Sequence, residues 1–260
     1  MKVVFFCGGY GMRLHPSTEN IPKPLVNVGD HPILWNLMKY YSYFGHNDFI
    51  LCLGYKGTEI KRFFLDYSEA LSNDFILSSG GNVEVLSKDI EEWRITFVNT
   101  GLHSNIGERL KSVEKYIGDD KWFLANYADA LTDLDLRDLI DYAKKKDKIG
   151  CFITVNPPQS FHVVNSDRYG YVKDLSLIEK SGIRINGGFF IFKKDIFQFI
   201  HTGEDLVLKP FERLIELRQL VEYKYDGFWA SMDTYKDKAR LDDMANSGKG
   251  VWEVWKKNVI

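Results

Sequence analysis

Short apolar runs alternate with segments of helical periodicity along the first half of the chain. The run Lys2–Cys7 is β-branched and aromatic and stops at Gly8-Gly9-Tyr10-Gly11, which predicts a buried strand entering a glycine-rich loop. After Pro32, apolar residues recur at helical spacing as far as Gly45, which predicts a helix with a glycine stop. A second strand is predicted at Phe49–Leu53. Strand, helix and strand in this order predict a right-handed βαβ unit with parallel strands.

The alternation continues to the end of the chain and predicts one α/β domain over residues 1–260. Between Tyr67 and Trp93 the pattern loosens, so residues 67–93 are interpreted as an insertion with short strands of its own. The later strand-like runs favour a mixed sheet with an added β region. Further strands are predicted at Arg94–Val98, Lys121–Asn126, Ile149–Val155, Tyr169–Leu175 and Ile183–Phe192. Further helices are predicted at Lys56–Asp66, Gly107–Tyr116, Asp135–Lys146, Pro210–Leu220 and Lys236–Asn246, with Pro210 at a first helical position.

The composition narrows the classes of function. The 34 basic and 36 acidic residues give a formal net charge of -2, and 45% of residues are hydrophobic, so neither disorder nor a general nucleic-acid-binding surface is indicated. The apolar stretch Val3–Cys7 is too short for a signal-peptide core or membrane span, so we expect a cytoplasmic protein with no membrane partner. Cys7, Cys52 and Cys151 form no C-x-x-C pair and are predicted to be buried free thiols.

The first candidate site is the loop after the first strand. Glycine amides can converge on phosphate oxygens, and Arg13 and Lys23 could neutralise a triphosphate from two sides. The loop has neither the Gly-Lys-Ser/Thr ending of a Walker motif nor the G-x-G-x-x-G spacing of a dinucleotide site. A purely structural turn is the alternative interpretation.

Two aspartates are candidate ligands for magnesium. Asp129 comes after the strand Lys121–Asn126, and open α/β sheets bind ligands beyond the carboxyl ends of such strands. Asp133 and Asp135 lie close behind, and one of them is expected only to cap the next helix. Asp233 directly precedes a helical segment, and taken in isolation it is better interpreted as a helix N-cap.

A further candidate site combines Glu179-Lys180 with Asn186-Gly187-Gly188. The carboxylate could accept hydrogen bonds from sugar hydroxyls, the lysine could bind a monophosphate, and the glycines could let a ligand lie against backbone. A solvated charged pair before a β-bulge is an equally common alternative. No Ser/His/Asp constellation supports a hydrolase.

These motifs, in this order, resemble the sugar-1-phosphate nucleotidylyltransferase family, and most closely its glucose-1-phosphate cytidylyltransferase branch. The resemblance runs from Met1 to about Trp255. It implies a nucleotide-diphosphosugar transferase fold, with a mixed, mostly parallel central sheet flanked by helices and a small β extension. Besides the motifs above, it rests on Pro32-Ile33-Leu34-Trp35, Gly54-Tyr55-Lys56, Asn99-Thr100-Gly101, Gly107–Leu110 and Gly227–Thr234.

The resemblance also implies roles for individual residues. Asp129 and Asp233 correspond to the two carboxylates that hold Mg²⁺, and with Arg13 and Lys23 they form the implied catalytic set. The implied nucleotide-binding residues are Gly8, Gly9, Gly11, Met12, Arg13, Lys23, Ser104, Gly107, Arg109 and Ala128. The implied sugar-phosphate-binding residues are Glu179, Lys180, Asn186, Gly187 and Gly188.

The activity implied by the resemblance is magnesium-dependent condensation of CTP with a sugar 1-phosphate, with glucose 1-phosphate as the leading candidate. The products are a CDP-sugar, for surface polysaccharide or deoxysugar biosynthesis, and pyrophosphate. We also expect a homo-oligomer. A different nucleotide, a different phosphorylated sugar or polyol, or a binding module without turnover are the alternatives. A dinucleotide-dependent oxidoreductase is disfavoured because the G-x-G-x-x-G spacing is absent.

The sequence departs from the family pattern at three places. The family's Tyr-Gly-Asp-Gly is Tyr127-Ala128-Asp129-Ala130 here, which keeps the carboxylate but changes the backbone freedom beside it. The proline of Glu-Lys-Pro is Ser181, and the second glycine of Gly-Gly-Arg-Leu is Glu108. A carboxylate at Glu108 could alter the choice of the acceptor substrate.

Overall fold

The computed structural model describes residues 1–9, 21–158 and 161–256. The strands of the first half are β1 (Val3–Cys7), β2 (Asn27–Val28), β3 (His31–Pro32), β4 (Asp48–Leu53), β5 (Phe75–Leu77), β6 (Val83–Val85), β7 (Arg94–Asn99), β8 (Trp122–Asn126) and β9 (Ala130–Thr132). Those of the second half are β10 (Gly150–Val155), β11 (His162–Ser166), β12 (Val172–Leu177), β13 (Ile185–Lys193), β14 (Leu220–Lys224) and β15 (Trp229–Ser231). The helices are α1 (Ile33–Tyr43), α2 (Gly57–Leu65), α3 (Glu69–Ser72), α4 (Ile106–Ser112), α5 (Glu114–Ile117), α6 (Leu136–Lys146), α7 (Lys209–Glu216) and α8 (Tyr235–Asn246).

The described strands build one large sheet and four small two-stranded ones. The large sheet has seven strands in the order β14-β10-β13-β8-β1-β4-β7. Strands β8, β1, β4 and β7 are parallel to one another, β14 is parallel to β10, and β13 runs antiparallel to both of its neighbours. The mixed, mostly parallel sheet flanked by helices is therefore confirmed. The hairpin β11–β12 is a separate small sheet in the added β region.

The core lies on both faces of the large sheet because successive side chains of a strand point to opposite faces. On β1, Val3, Phe5 and Cys7 belong to one buried cluster, whereas Val4 and Phe6 belong to the other. The first cluster includes side chains from α1, α6 and α8, and the second includes side chains from α4, α5 and α7. This double burial explains why β1 is an unbroken apolar run with no polar alternation.

The order of the strands places a crevice beside β1. From β1 the chain passes through α1 to β4 on one side and later returns as β8 on the other side. This reversal is a topological switch point, where open α/β sheets bind ligands outside the carboxyl ends of the strands. Gly8-Gly9 and Tyr127-Ala128-Asp129 lie just past the carboxyl ends of the two strands that meet there.

Several predicted boundaries changed in the structure. The helix predicted at Gly107–Tyr116 is two helices, because Val113, with ψ near 2°, interrupts them. Helix α7 ends before Arg218, whose φ of +53° cannot continue a helix, so Leu220 opens strand β14 instead. The strand predicted at Tyr169–Leu175 lies at Val172–Leu177. Residues 67–93, which the sequence predicts to be an insertion, contain the short antiparallel hairpin β5–β6.

All three cysteines are free and buried, as the sequence predicts. Burial raises the pKa of the Cys151 thiol to about 12 and raises those of Cys7 and Cys52 as well, so none of them is poised as a nucleophile. Within the ranges that the structure describes, no helix is both long and apolar enough to cross a membrane.

Candidate functional site

Asp129 is positioned by a tight turn at the carboxyl end of β8. The side-chain oxygen of Asn126 accepts a hydrogen bond from the Ala128 amide at 2.9 Å, and the Asn126 amide donates to the buried Tyr41 hydroxyl at 3.2 Å. Ala128 takes a left-handed φ of +64°, which glycine adopts without cost and alanine adopts at roughly 1 kcal/mol. Ala128 thus adopts a conformation that favours glycine, the residue that the family pattern has at this position.

A short antiparallel pair of strands brings Asp233 close to Asp129. Strands β9 and β15 pair so that Ala130 lies opposite Ser231, and the Met232 amide donates to the Asp129 carbonyl at 2.8 Å. The N-cap interpretation of Asp233 is wrong, because Thr234 caps helix α8 in a capping box with Asp237. The carboxylate of Asp233 is therefore directed to another partner.

That partner is the ammonium group of Lys23. Its Nζ lies 2.8 Å from Oδ2 of Asp129 and 2.8 Å from Oδ1 of Asp233. The three side chains are 15%, 26% and 41% exposed, so the cluster lines a crevice open to solvent. Lys23 begins a short 3₁₀ turn between Pro22 and Pro24, whose fixed φ angles give its backbone a rigid base.

The charges of this cluster depend on one another. Burial raises the pKa of the Asp129 carboxyl, and the charge of Lys23 offsets this effect only in part. Burial alone would lower the pKa of the Lys23 ammonium, but Asp129 and Asp233 outweigh it, so that pKa is raised. Lys23 is thus held charged, and the carboxylate pair requires a cation beside it.

The donor set fits a hard divalent cation. Two carboxylate oxygens already converge on one positively charged atom, and magnesium prefers carboxylate oxygen while keeping waters and substrate phosphates as its other ligands. No group of three or more His, Cys, Asp or Glu side chains suited to a metal occurs among residues 1–9, 21–158 and 161–256. A metal ion held by Asp129 and Asp233 would thus have two carboxylate ligands from the protein and would take its other ligands from substrate and water.

Gly8, the first glycine after β1, is held by Arg109, which is only 3% exposed. Its guanidinium donates to the carbonyls of Gly8, Leu53, Gly101 and Leu102 and to the Thr100 hydroxyl, at 2.8–3.4 Å. These acceptors lie at the carboxyl ends of β1, β4 and β7. A Cβ atom added to Gly8 would lie 2.1 Å from the Arg109 Cζ atom, so glycine is required for this close approach.

The other predicted nucleotide-binding residues are distributed around this loop. Gly9 is exposed at the crevice, and Ser104 donates to the Thr100 carbonyl. Gly107 is buried against the Glu204 carbonyl, which a Cβ atom would approach to 2.1 Å. Glu108 forms the capping box of α4 with Asn105, so its carboxylate is engaged at that helix terminus. Gly11, Met12 and Arg13 lie outside the described residues.

The segment Asn186-Gly187-Gly188 forms a wall against Tyr127, two residues before Asp129 in the sequence. Asn186 donates to the Tyr127 hydroxyl at 3.2 Å, and the Gly187 carbonyl accepts from the Trp229 indole at 2.8 Å. A register shift lies opposite this segment on β10, so the bulge that the sequence suggested is present. Glu179 and Lys180 are exposed in a 3₁₀ turn after β12 and have no described contact with this wall.

Asp129 and Lys23 border a cavity of about 170 Å³ beneath the glycine loop. Its lining residues are Phe6, Gly9, Lys23, Pro24, Ile106, Tyr127, Ala128 and Asp129. Both charged side chains, Lys23 and Asp129, and apolar or aromatic ones line the cavity, a combination typical of ligand-binding pockets.

Comparison with known proteins identifies the family of this chain. Residues 2–237 match the family model described as nucleotidyl transferase. The chain belongs to the nucleotidyl transferase family. It is 37% identical over 257 residues to the glucose-1-phosphate cytidylyltransferase of Salmonella typhimurium, covering 98% of this chain and 100% of that one. The probable glucose-1-phosphate cytidylyltransferase of Bacillus subtilis is equally similar, at 37% identity over 257 residues.

Two solved structures share the fold. A UDP-glucose pyrophosphorylase complexed with UDP-glucose superposes with a TM-score of 0.69 at 16% identity, covering 95% of this chain and 98% of that one. HddC from Yersinia pseudotuberculosis, complexed with GMP-PN, has a TM-score of 0.65 at 19% identity and covers 94% of this chain and 99% of that one. At this identity the likeness concerns the fold.

Sequence reasoning missed the residues that arrange the site. Asn126 holds the Ala128 turn, Tyr127 holds Asn186, and Asp237 accepts the backbone amide of Asp233 at 3.2 Å. The Thr234–Asp237 spacing is a capping-box signal that would have moved the cap one residue beyond Asp233. Asn126 and Tyr127 carry no comparable local signal.

Proposed function

We propose that this nucleotidyl transferase condenses CTP with a sugar 1-phosphate, with glucose 1-phosphate as the leading substrate, and releases pyrophosphate. The observation that carries the proposal is that Asp129 and Asp233 both contact the Lys23 ammonium at the topological switch point, beside Gly9. The choice of CTP and glucose 1-phosphate draws support from the relatives named glucose-1-phosphate cytidylyltransferase. Such an enzyme would supply a CDP-sugar for surface polysaccharide or deoxysugar biosynthesis in the cytoplasm.

The reaction needs no protein nucleophile. An oxygen of the sugar 1-phosphate attacks the α-phosphorus in line, the bond to the β-phosphate oxygen breaks, and pyrophosphate leaves with the electron pair. A Mg²⁺ ion held by Asp129 and Asp233 would supply charge neutralisation when bound. The chain itself supplies positioning: the amides of Gly8 and Gly9 face the phosphates, and Lys23, together with Arg13, balances charge on the leaving group.

The sugar phosphate would lie against the opposite wall. Asn186 and the two glycines stand beside Tyr127, close in sequence to Asp129, so a sugar bound there would present its phosphate to the cation site. The left-handed Gly188, with φ of +76°, keeps this wall free of a side chain that would strike the Tyr127 ring. We propose that Glu179 contacts the sugar hydroxyls and Lys180 contacts the sugar phosphate on this side of the site.

Direct competition among CTP, UTP, dTTP and GTP with glucose 1-phosphate tests the proposal. We expect CTP to give the highest kcat/KM, measured by pyrophosphate release with all four nucleotides in turn. A panel of other sugar 1-phosphates at saturating CTP then tests the acceptor. A clear preference for a purine nucleotide would contradict the proposed base, and absence of pyrophosphate release with every pair would contradict catalysis altogether.

We also propose that the enzyme is a homo-oligomer. The hairpin β11–β12 and its connecting turn expose large apolar side chains, including Tyr169 at 70%, Tyr171 at 73% and Leu175 at 60%. Contiguous exposed apolar residues of this kind are typical of interaction surfaces. Light scattering coupled to size exclusion should give a mass that is a multiple of 30.2 kDa. Replacing Tyr169 and Tyr171 by serine should lower that mass, and a wild-type monomer would refute the expectation.

A further inference from the structure

Lys23 occupies the point at which its two carboxylate partners would hold a metal ion. Its ammonium nitrogen lies 2.8 Å from one oxygen of Asp129 and 2.8 Å from one oxygen of Asp233. A magnesium ion on the same two oxygens would lie about 2.0–2.1 Å from each. An ammonium and an ion cannot both occupy this space, and their like charges repel at such a distance. The carboxylate pair therefore has two mutually exclusive partners.

The cavity beside the cluster offers the displaced ammonium a second position. Lys23 lines that cavity together with Gly9 and Ala128, below the glycine loop. Its backbone is fixed by the turn Pro22–Pro24, where the Leu25 amide donates to the Pro22 carbonyl at 2.8 Å. With the backbone held in this turn, rotation about the bonds of the four-carbon side chain would carry the ammonium from the carboxylates to the adjoining cavity. A polyphosphate in that cavity would offer the ammonium several anionic oxygens in exchange for the two that it leaves.

We propose that Lys23 is an exchangeable counter-ion of the catalytic carboxylates. In the empty enzyme its single positive charge pairs with both Asp129 and Asp233 and competes with divalent cations for them. The nucleotide's phosphates draw it away, and the carboxylates then accept the metal ion. Metal and nucleotide therefore favour each other's binding, and this coupling is reciprocal. The inference rests on the proposed function, because it takes Asp129 and Asp233 as the metal ligands.

If Lys23 competes with the metal ion, removing its positive charge should strengthen the binding of a divalent cation to the nucleotide-free enzyme. Mn²⁺ binding is measured by the loss of its free electron paramagnetic resonance signal at pH 8, without nucleotide. The Lys23→Met variant should bind Mn²⁺ at least roughly tenfold more tightly than the wild type, since the competing ammonium is gone. Lys23→Arg is the matched control, because it keeps the charge, and its affinity should remain close to that of the wild type.

Further variants distinguish a wrong metal-site assignment from a wrong exchange proposal. Lys23→Gln replaces Lys23→Met if circular dichroism shows that the methionine variant is not folded. Adding Asp129→Asn to Lys23→Met should abolish the gain in Mn²⁺ affinity. If Mn²⁺ binding in the double variant is undiminished, the metal-site assignment of the proposed function is wrong. If the double variant loses Mn²⁺ but the single variant binds no more tightly than the wild type, the metal site stands and the exchange is refuted.

Discussion

Replacing Asp129 or Asp233 by asparagine is expected to lower kcat by about 10²–10³-fold or more, the scale of losing a principal electrostatic stabiliser of the transition state. Each change keeps the size and shape of the side chain and removes one negative charge from the pair that Lys23 now bridges. Steady-state pyrophosphate release at saturating substrates measures the effect. Circular dichroism should show an unchanged fold, since the backbone hydrogen bond between Met232 and Asp129 does not involve either side chain.

Asp135→Asn is the matched control for these two variants. It makes the same chemical change a few residues from Asp129, but Asp135 caps helix α6 by accepting from the Arg137 amide at 3.0 Å. Asparagine caps helices about as well as aspartate does, so turnover should stay near the wild-type value. Near-normal activity of Asp129→Asn or Asp233→Asn, with the same assay, would remove that residue from the metal site.

Arg109→Met is expected to be the most destabilising substitution near the site, at about 3 kcal/mol or more of unfolding free energy, because four carbonyls and one hydroxyl lose the donor that they share. The methionine would keep much of the volume of the arginine stem but leave the carbonyls of Gly101 and Leu102 without the bonds that Arg109 gives them. Urea denaturation should show the loss as a lower midpoint with an unchanged slope.

Two other variants show whether geometry or charge accounts for the loss. Arg109→Lys keeps the charge, but a single ammonium cannot span acceptors on three strand ends as the planar guanidinium does, so it too should be clearly destabilised. Arg94→Met removes an arginine that is 77% exposed and pairs with Asp48 at the surface, and it should cost less than about 1 kcal/mol. Equal stability of Arg109→Met and Arg94→Met would contradict a structural role for Arg109.

The described contacts of Arg109 differ from the role that the resemblance implies for it. The resemblance implies a nucleotide contact for it, whereas its described bonds are to the loops that carry Gly8 and Gly101. A direct contact with the nucleotide stays a prediction. Loss of nucleotide affinity in Arg109→Lys, beyond its loss of stability, would indicate that the placement of these loops matters for binding.

The sequence by itself determined the elements with strong local patterns. An apolar run buried on two faces, as at Val3–Cys7, has few alternatives to a central strand, and Asp135 before a 3.6-residue period marks where helix α6 begins. The glycine loop and Asp129 were also located from sequence, because residues directly after a strand of a parallel sheet lie at the carboxyl edge of that sheet. These inferences need only neighbouring residues.

Only the tertiary structure decided which distant residues meet. Strands β9 and β15 have three residues each, too few for a periodic signal, yet their pairing brings Asp233 to Asp129. The partner of both carboxylates, Lys23, lies in a proline-flanked turn with no period of its own. The local sequence pattern indicates which secondary structure a segment prefers. The meeting of Asp129, Asp233 and Lys23, which lie on three separate segments, depends instead on the register and order of strands far apart in sequence.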